Sequence, residues 1–238
     1  MDSEPFGGYE RGRLRFQLRA STGTAGSRHE ALGLGDGGRD GVMYVPDSAE
    51  ADAPVLVFLH GATGSGRSHL RPILGAADRY GVILVAPDSR IAGTWDLIAG
   101  GDFGPDVVFL DRVLDSVADR ISADMTRLAL GGVSDGASYA LSIGLSNGDL
   151  FSTVVAFSPG FLAVIEPIGL PRVFISHGTQ DSILPIDACS RVFVPALRGA
   201  GYEVLFNEFD GGHSVPPSVA DSAMHWWLTA PHAGPIGG

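Results

Sequence analysis

The sequence contains no lysine, so all 16 of its basic side chains are arginine. They are outnumbered by 27 acidic side chains, which gives a formal net charge of −11 at pH 7. A chain this acidic repels phosphate backbones and anionic membrane surfaces, so we expect no nucleic-acid partner. The absence of lysine also excludes a P-loop, whose signature requires one.

Cysteine is nearly absent as well. Cys189 is the only one, which excludes an intrachain disulfide and gives no sign of a zinc site. Residues 1–12 contain no apolar segment typical of a secretory signal, and no apolar run approaches the roughly 20 residues of a membrane helix. We therefore expect a cytoplasmic protein with no membrane span. Nothing in the sequence indicates an oligomeric state.

Short apolar runs alternate with helix-length segments along the chain. The predicted strands are 13–19, 41–45, 54–59, 82–86, 128–131, 153–157, 172–177 and 202–209. This alternation predicts an α/β fold whose mostly parallel central sheet of about eight strands carries helices on both faces. We expect one domain over 1–238, with its core at about 41–230 and a flexible tail at 231–238.

The pattern G-x-S-x-G occurs between a predicted strand and a predicted helix, as Gly132, Val133, Ser134, Asp135 and Gly136. In this context the serine occupies a strained turn, and the glycines remove side chains that would clash there. The pentapeptide alone is weak evidence, because a chain with 34 glycines produces it by chance. An ordinary strand–helix turn stays open as an alternative until partners for the serine are found.

A serine nucleophile needs a base and a third group that orients the base. His213 lies in a glycine-rich loop directly after the last predicted strand, and of the seven histidines it is the one in the loop position that a general base needs. Asp181 is the first carboxylate after the strand 172–177. Asp187 fits helix capping better, and Asp210 is too close to His213 in the chain to orient its ring easily. The order serine, aspartate, histidine is that of the α/β-hydrolase arrangement.

An oxyanion hole needs two backbone N–H donors. One is expected from Asp135, the residue after the serine, and the other from Ala62 in the glycine-rich loop 59–66. His60 is expected to brace this loop, and contact between His60 and substrate stays open.

Six short motifs resemble the α/β-hydrolase superfamily of serine esterases, in its phospholipase/carboxylesterase or polyhydroxybutyrate-depolymerase-like branch. They begin at Leu59, Ala86, Gly132, Phe157, His177 and Gly211 and read LHGA, APDS, GVSDG, FSPG, HGTQD and GGH. The resemblance implies the α/β-hydrolase fold, with Ser134 as nucleophile, Asp181 as acid and His213 as base. Relatives that act on lipids or acylated proteins often have glutamine where this chain has Asp135.

The interval 161–170 is too short for a large lid, and an open cleft suits short acyl chains, aryl esters or the ends of polyesters. Trp95 either flanks this cleft or anchors a loop. Thr63 and Ile183 are further predicted substrate contacts.

These observations predict a serine carboxylesterase that hydrolyses short-chain or aryl esters, small or polymeric, through an acyl-enzyme on Ser134, with no metal or cofactor. The alternatives are a lysophospholipase or acyl-thioesterase, a lyase or perhydrolase of the same fold, and a non-catalytic binding protein.

Overall fold

The computed structural model describes residues 8–23, 29–35 and 38–229. Its strands are β1 (Glu30–Ala31), β2 (Gly41–Tyr44), β3 (Pro54–Leu59), β4 (Ile83–Pro87), β5 (Asp124–Val133), β6 (Thr153–Phe157), β7 (Arg172–Gly178) and β8 (Val204–Phe209). Its α-helices are α1 (Gly66–His69), α2 (Arg71–Tyr80), α3 (Asp96–Gly100), α4 (Pro105–Arg120), α5 (Asp135–Ser146), α6 (Ser190–Gly199) and α7 (Pro217–Leu228).

The eight strands form one sheet in the order β1-β2-β4-β3-β5-β6-β7-β8. Strands β3 to β8 are parallel to one another, and β2 is antiparallel to both of its neighbours, β1 and β4. This is the predicted mostly parallel α/β sheet. The carboxyl ends of β3, β5, β7 and β8 lie at one edge, where ligands bind in open α/β sheets.

The sheet is covered on both faces, because β3 and β4 near its centre are apolar and buried at every position. In β3, Val55, Val57 and Leu59 join a buried cluster that includes α4, whereas Leu56 and Phe58 join a second cluster with α2 and α7. Such continuous apolar strands are typical of parallel sheets buried on both sides.

The predicted strand 13–19 is wrong. Leu14 and Phe16 are buried as the alternation indicates, but the segment pairs with no strand. The carboxylate of Asp111 accepts the N–H groups of Arg15 and Phe16 at 2.9 Å, and Asn147 Oδ1 accepts that of Leu14 at 2.9 Å. Side chains thus satisfy the backbone groups that a neighbouring strand would otherwise take. The eighth strand of the sheet is β1 instead.

Within the described ranges, no helix combines the length and apolar character that crossing a membrane requires. No helix interrupts the connection between β6 and β7, in agreement with the absence of a large lid. The predicted flexible tail, 231–238, lies outside the described residues.

Candidate active site

Ser134 lies at the turn where β5 ends and α5 begins. Its backbone has φ 56° and ψ −121°, a conformation that costs free energy for any residue with a side chain. Such strained strand–helix turns lift a serine hydroxyl above the sheet. Its N–H donates to Phe157 O at 2.9 Å, which ties the turn to the end of β6.

The two glycines around Ser134 are sterically required. A Cβ at Gly132 would overlap the backbone of Gly136, four residues further along the chain in the first turn of α5. A Cβ at Gly136 would lie 2.5 Å from His60 O and closer still to Leu59 O. The first turn of α5 is therefore packed directly against the chain leaving β3.

Replacing Gly136 with alanine is expected to lower kcat/KM by about a hundredfold or more, because the clash moves Ser134 relative to the loop after β3 by a fraction of an ångström to an ångström. Steady-state kinetics on an activated ester measures the loss. Gly75→Ala is the matched control: the position is helical and a Cβ there meets nothing within 4 Å, so activity should be unchanged. Wild-type activity in Gly136→Ala would show that this packing does not set the serine's position.

His213 and Asp181 are in direct contact at the same edge of the sheet. His213 follows β8, Asp181 follows β7, and His213 Nδ1 lies 2.7 Å from Asp181 Oδ2. Because a carboxylate only accepts hydrogen bonds, Nδ1 carries the proton and the lone pair is left on Nε2. That is the tautomer a general base needs.

Asp181 is held as an anion. Burial alone would raise its pKa, but hydrogen bonds from the Leu184 N–H, the His213 imidazole and the Ile183 N–H outweigh burial and lower it below the usual value. Both N–H groups donate to Oδ1 at 2.9 Å, which leaves Oδ2 to His213. The acid therefore stays charged at neutral pH.

A second histidine supports this carboxylate. His177 Nε2 donates to Leu184 O at 2.7 Å and lies 3.3 Å from Asp181 Oδ2, while Nδ1 lies 2.7 Å from Ser190 Oγ. Burial lowers the pKa of His177, so this ring is neutral and holds the loop that carries Asp181. The sequence analysis, which considered partners only for Ser134, did not find the contact between His177 and the acid.

The two rival carboxylates do not contact His213. Asp210 accepts a hydrogen bond from Gln180 Nε2 at 2.5 Å, and Asp187 pairs with Arg191 at 2.8 Å. Among the hydrogen bonds of the described residues, none joins Ser134 Oγ to the His213 ring. Catalytic hydrogen bonds are often long in unliganded enzymes and tighten when substrate binds.

The loop after β3 curls over the serine turn. Thr63 has φ 58° and donates its N–H to Gly93 O at 2.6 Å, and Gly64 N–H bonds back to Gly61 O at 3.3 Å. A Cβ at Gly61 would lie 3.2 Å from Ser134 Cβ. In the part of the chain that is described, the N–H groups of Ala62 and Asp135 donate to no protein group. The structure thus leaves both predicted oxyanion donors free beside Ser134.

His60 braces this loop and is closed to substrate. It is fully buried, with Nδ1 donating to Gly61 O at 2.8 Å and Nε2 accepting the Ser89 N–H at 3.1 Å. Burial lowers the pKa of His60, so the ring is neutral. The open prediction of a substrate contact at His60 is therefore corrected.

Trp95 is likewise an anchor and not a wall of the cleft. Its side chain is 0% exposed, and Nε1 donates to His60 O at 2.9 Å. Its ring stacks on Tyr139 of α5, with 5.1 Å between centroids. Trp95 thus links the loop after β3 to the helix that begins after Ser134, and of the two alternatives left open for it, its burial favours the loop anchor over the substrate contact.

The buried carboxylates Asp96 and Asp106 form a pair, and Asp96 holds the hydroxyl of Tyr139, the ring on which Trp95 stacks. This pair was not identified from the sequence. Asp96 accepts the Tyr139 hydroxyl at 2.8 Å and the Asp106 N–H at 2.8 Å, and the Asp96 N–H donates to Asp106 at 2.7 Å. Burial raises the pKa of Asp106 to about 6. Asp96 and Asp106 are ten positions apart in the chain, and no local sequence pattern indicates a pair of this kind.

The remaining predicted contacts are accessible to a ligand. Thr63 is exposed, and Ile183 is 66% exposed next to the acid loop. The side chain of Asp135 accepts a hydrogen bond from Thr94 Oγ1 at 2.6 Å, so its carboxylate is held against the loop after β4.

The segment between β6 and β7 is fixed to α5 by serine hydroxyls. Ser138 Oγ accepts the Gly160 N–H at 2.9 Å and the Phe161 N–H at 3.3 Å, and Ser142 Oγ accepts the Ala163 N–H at 3.0 Å. The segment therefore lies fixed along the helix.

The known proteins whose sequences are similar to this chain are named as esterases. No protein-family model matches the chain. A feruloyl esterase C from Emericella nidulans is 25% identical, with 79% of this chain and 80% of the relative aligned. A probable feruloyl esterase C from Aspergillus niger is 29% identical over the same shares.

Solved structures agree on the fold. The Bacillus cereus carboxylesterase superposes with a TM-score of 0.65 at 21% identity, covering 81% of this chain and 95% of that one. An acetyl xylan esterase from Aspergillus awamori gives a TM-score of 0.64 at 19% identity, covering 86% of this chain and 100% of that one. The chain has the α/β-hydrolase fold of these structures.

Proposed function

We propose that this carboxylic ester hydrolase of the α/β-hydrolase fold is a serine esterase with Ser134 as its nucleophile. His213 is the general base, Asp181 orients and stabilises it, and the Ala62 and Asp135 N–H groups form the oxyanion hole. The observation that carries the proposal is the Asp181–His213 pair at the same sheet edge as a serine held at positive φ.

The first half of the reaction acylates the enzyme. Ser134 Oγ attacks the ester carbonyl carbon while its proton passes to His213 Nε2. The carbonyl oxygen becomes an oxyanion and accepts hydrogen bonds from the two free N–H groups, which stabilise the transition state more than the substrate. The tetrahedral intermediate then expels the alkoxide, which takes the proton from His213 and leaves as an alcohol.

Water completes the cycle. His213 Nε2 removes a proton from a water molecule, whose oxygen attacks the acyl-enzyme carbonyl. Collapse of this second intermediate returns the proton to Ser134 Oγ and releases a carboxylic acid. Asp181 remains ionised throughout, in keeping with its lowered pKa.

The substrate class we propose is short-chain or aryl esters. The segment between β6 and β7 is short and fixed, and Ile183 offers an exposed apolar surface beside the acid loop. The sequence relatives named feruloyl esterases support the aryl side of this class. The alternatives are a thioesterase, a lysophospholipase, a lyase, a perhydrolase and a binding protein. They are not favoured, because the sequence relatives are named esterases.

A panel of substrates tests this proposal. We expect kcat/KM to be highest for p-nitrophenyl acetate, p-nitrophenyl butyrate and methyl hydroxycinnamates. We expect it to fall by at least an order of magnitude for p-nitrophenyl palmitate, because an exposed cleft buries few methylene groups of a long chain. A preference for palmitate or for an acyl thioester over its matched oxygen ester would contradict the substrate class.

A further inference from the structure

One further imidazole, that of His69, lies beside the loop after β3, close to the nucleophile. His69 ends α1, and its ring covers Gly64, where a Cβ would overlap ring atoms Cε1 and Nδ1. Nε2 of the same ring lies 3.4 Å from the position of a Cβ at Gly61, and that position lies 3.2 Å from Ser134 Cβ. The ring nitrogen and the nucleophile thus face the same space beside the loop after β3.

The two nitrogens of His69 have different surroundings. Nδ1 lies 3.0 Å from Ser68 Oγ and 3.4 Å from Ser65 O. Across residues 8–23, 29–35 and 38–229, no protein group forms a hydrogen bond with Nε2. His69 is half-buried, and Nε2 is not among the side-chain atoms of the described residues that are buried without a partner, so this nitrogen is accessible to solvent.

The hydrogen bonds around Nδ1 set the tautomer. Ser65 O is a carbonyl oxygen and can only accept from Nδ1, and Ser68 Oγ, which donates to Ser65 O at 2.9 Å, has a lone pair for Nδ1 as well. A proton on Nδ1 satisfies both groups, and the ring in its neutral form then presents a lone pair on Nε2. Because no carboxylate contacts Nδ1, the ring lacks the charge partner that makes His213 a base.

We propose that His69 Nε2 is a specificity-determining acceptor for a hydroxyl group of the substrate close to the scissile carbonyl. This inference rests on the proposed function and names a subclass of its substrates: esters of a hydroxy acid, or esters of an alcohol that keeps a second hydroxyl. Either hydroxyl would lie within a few bonds of the carbonyl carbon, beside the space that Nε2 and Ser134 share.

Two matched ester pairs test the proposal and separate the two sources of the hydroxyl. The acyl-side pair is p-nitrophenyl β-hydroxybutyrate and p-nitrophenyl isovalerate, in which a methyl group replaces the hydroxyl. The alcohol-side pair is hydroxyethyl butyrate and propyl butyrate. For the wild type we expect a kcat/KM ratio of about ten in favour of the hydroxylated ester in at least one pair, the worth of one hydrogen bond.

The variants separate recognition from packing. His69→Phe keeps a ring over Gly64 but has no acceptor, so the ratio should fall to about one. His69→Gln keeps an acceptor oxygen and should retain part of the preference. A wild-type ratio near one in both pairs overturns the proposal. A kcat/KM preference for the hydroxylated ester that persists in His69→Phe also overturns it. So does an equal loss of kcat/KM on both members of a pair, since the His69 ring then serves only for packing. Failure of the proposed function would be recognised separately, by undiminished hydrolysis in Ser134→Ala.

Discussion

Replacing Ser134 with alanine is expected to lower kcat for ester hydrolysis by about a millionfold, the scale found when a serine nucleophile is removed from an intact triad. The loss is this large because the variant has no atom that can form the acyl-enzyme, and only the oxyanion donors and substrate binding remain. Release of p-nitrophenol from p-nitrophenyl acetate measures it, with the uncatalysed rate subtracted.

The fold should survive this change. The Ser134 side chain is half-buried and its Oγ forms no hydrogen bond among the described residues, so the melting temperature should stay close to that of the wild type. Ser222→Ala, in which an exposed hydroxyl bonded only to Ser218 O is removed, is the matched control and should keep full activity. Retained turnover in Ser134→Ala would exclude it as nucleophile.

Replacing Asp181 with asparagine is expected to lower kcat by about ten-thousandfold with little change in shape. The Ile183 and Leu184 N–H groups will hold the amide oxygen, as they now hold Oδ1, and this turns the amide NH₂ toward His213. Two donors cannot face each other, so Nδ1 loses its proton and Nε2 gains it. The ring then has no lone pair for the Ser134 proton.

The other carboxylates near this loop provide controls for the acid assignment. Asp187→Asn removes only an exposed ion pair with Arg191 and should leave kcat unchanged. Asp210→Asn should have a small effect, since Asp210 contacts Gln180 and not His213. If Asp210→Asn caused the large loss and Asp181→Asn did not, the orienting acid would be Asp210.

The features that could be predicted from the sequence are those determined by residues close to one another in the chain. The common location of Ser134, Asp181 and His213 was predictable because each lies within a few residues of the end of an apolar strand, and parallel strands bring those ends to one edge. The bounds of α7 and the burial of β3 are equally local, since apolar periodicity and a first-turn proline determine them.

What the sequence did not predict depends on distant partners. The segment 13–19 has the alternation of a strand, but Asp111, about a hundred positions along the chain, takes its N–H groups. Trp95 and His60 have residue types that suit a substrate cleft, and only the packing of α5 against the loop after β3 buries them. No local sequence signal places His69 near Ser134, because its approach to Ser134 depends on how the loop curls at Thr63.

The assignment of Ser134 as the nucleophile is tested most directly by identifying the residue that carries the acyl group. The wild-type protein is mixed with a fluorophosphonate or with excess p-nitrophenyl acetate, quenched in acid, and analysed by intact mass and peptide mapping. If Ser134 is the nucleophile, we expect one adduct per chain, located on Ser134 and absent from Ser134→Ala. An adduct on another residue, or rapid ester turnover with no adduct under either condition, would contradict this assignment.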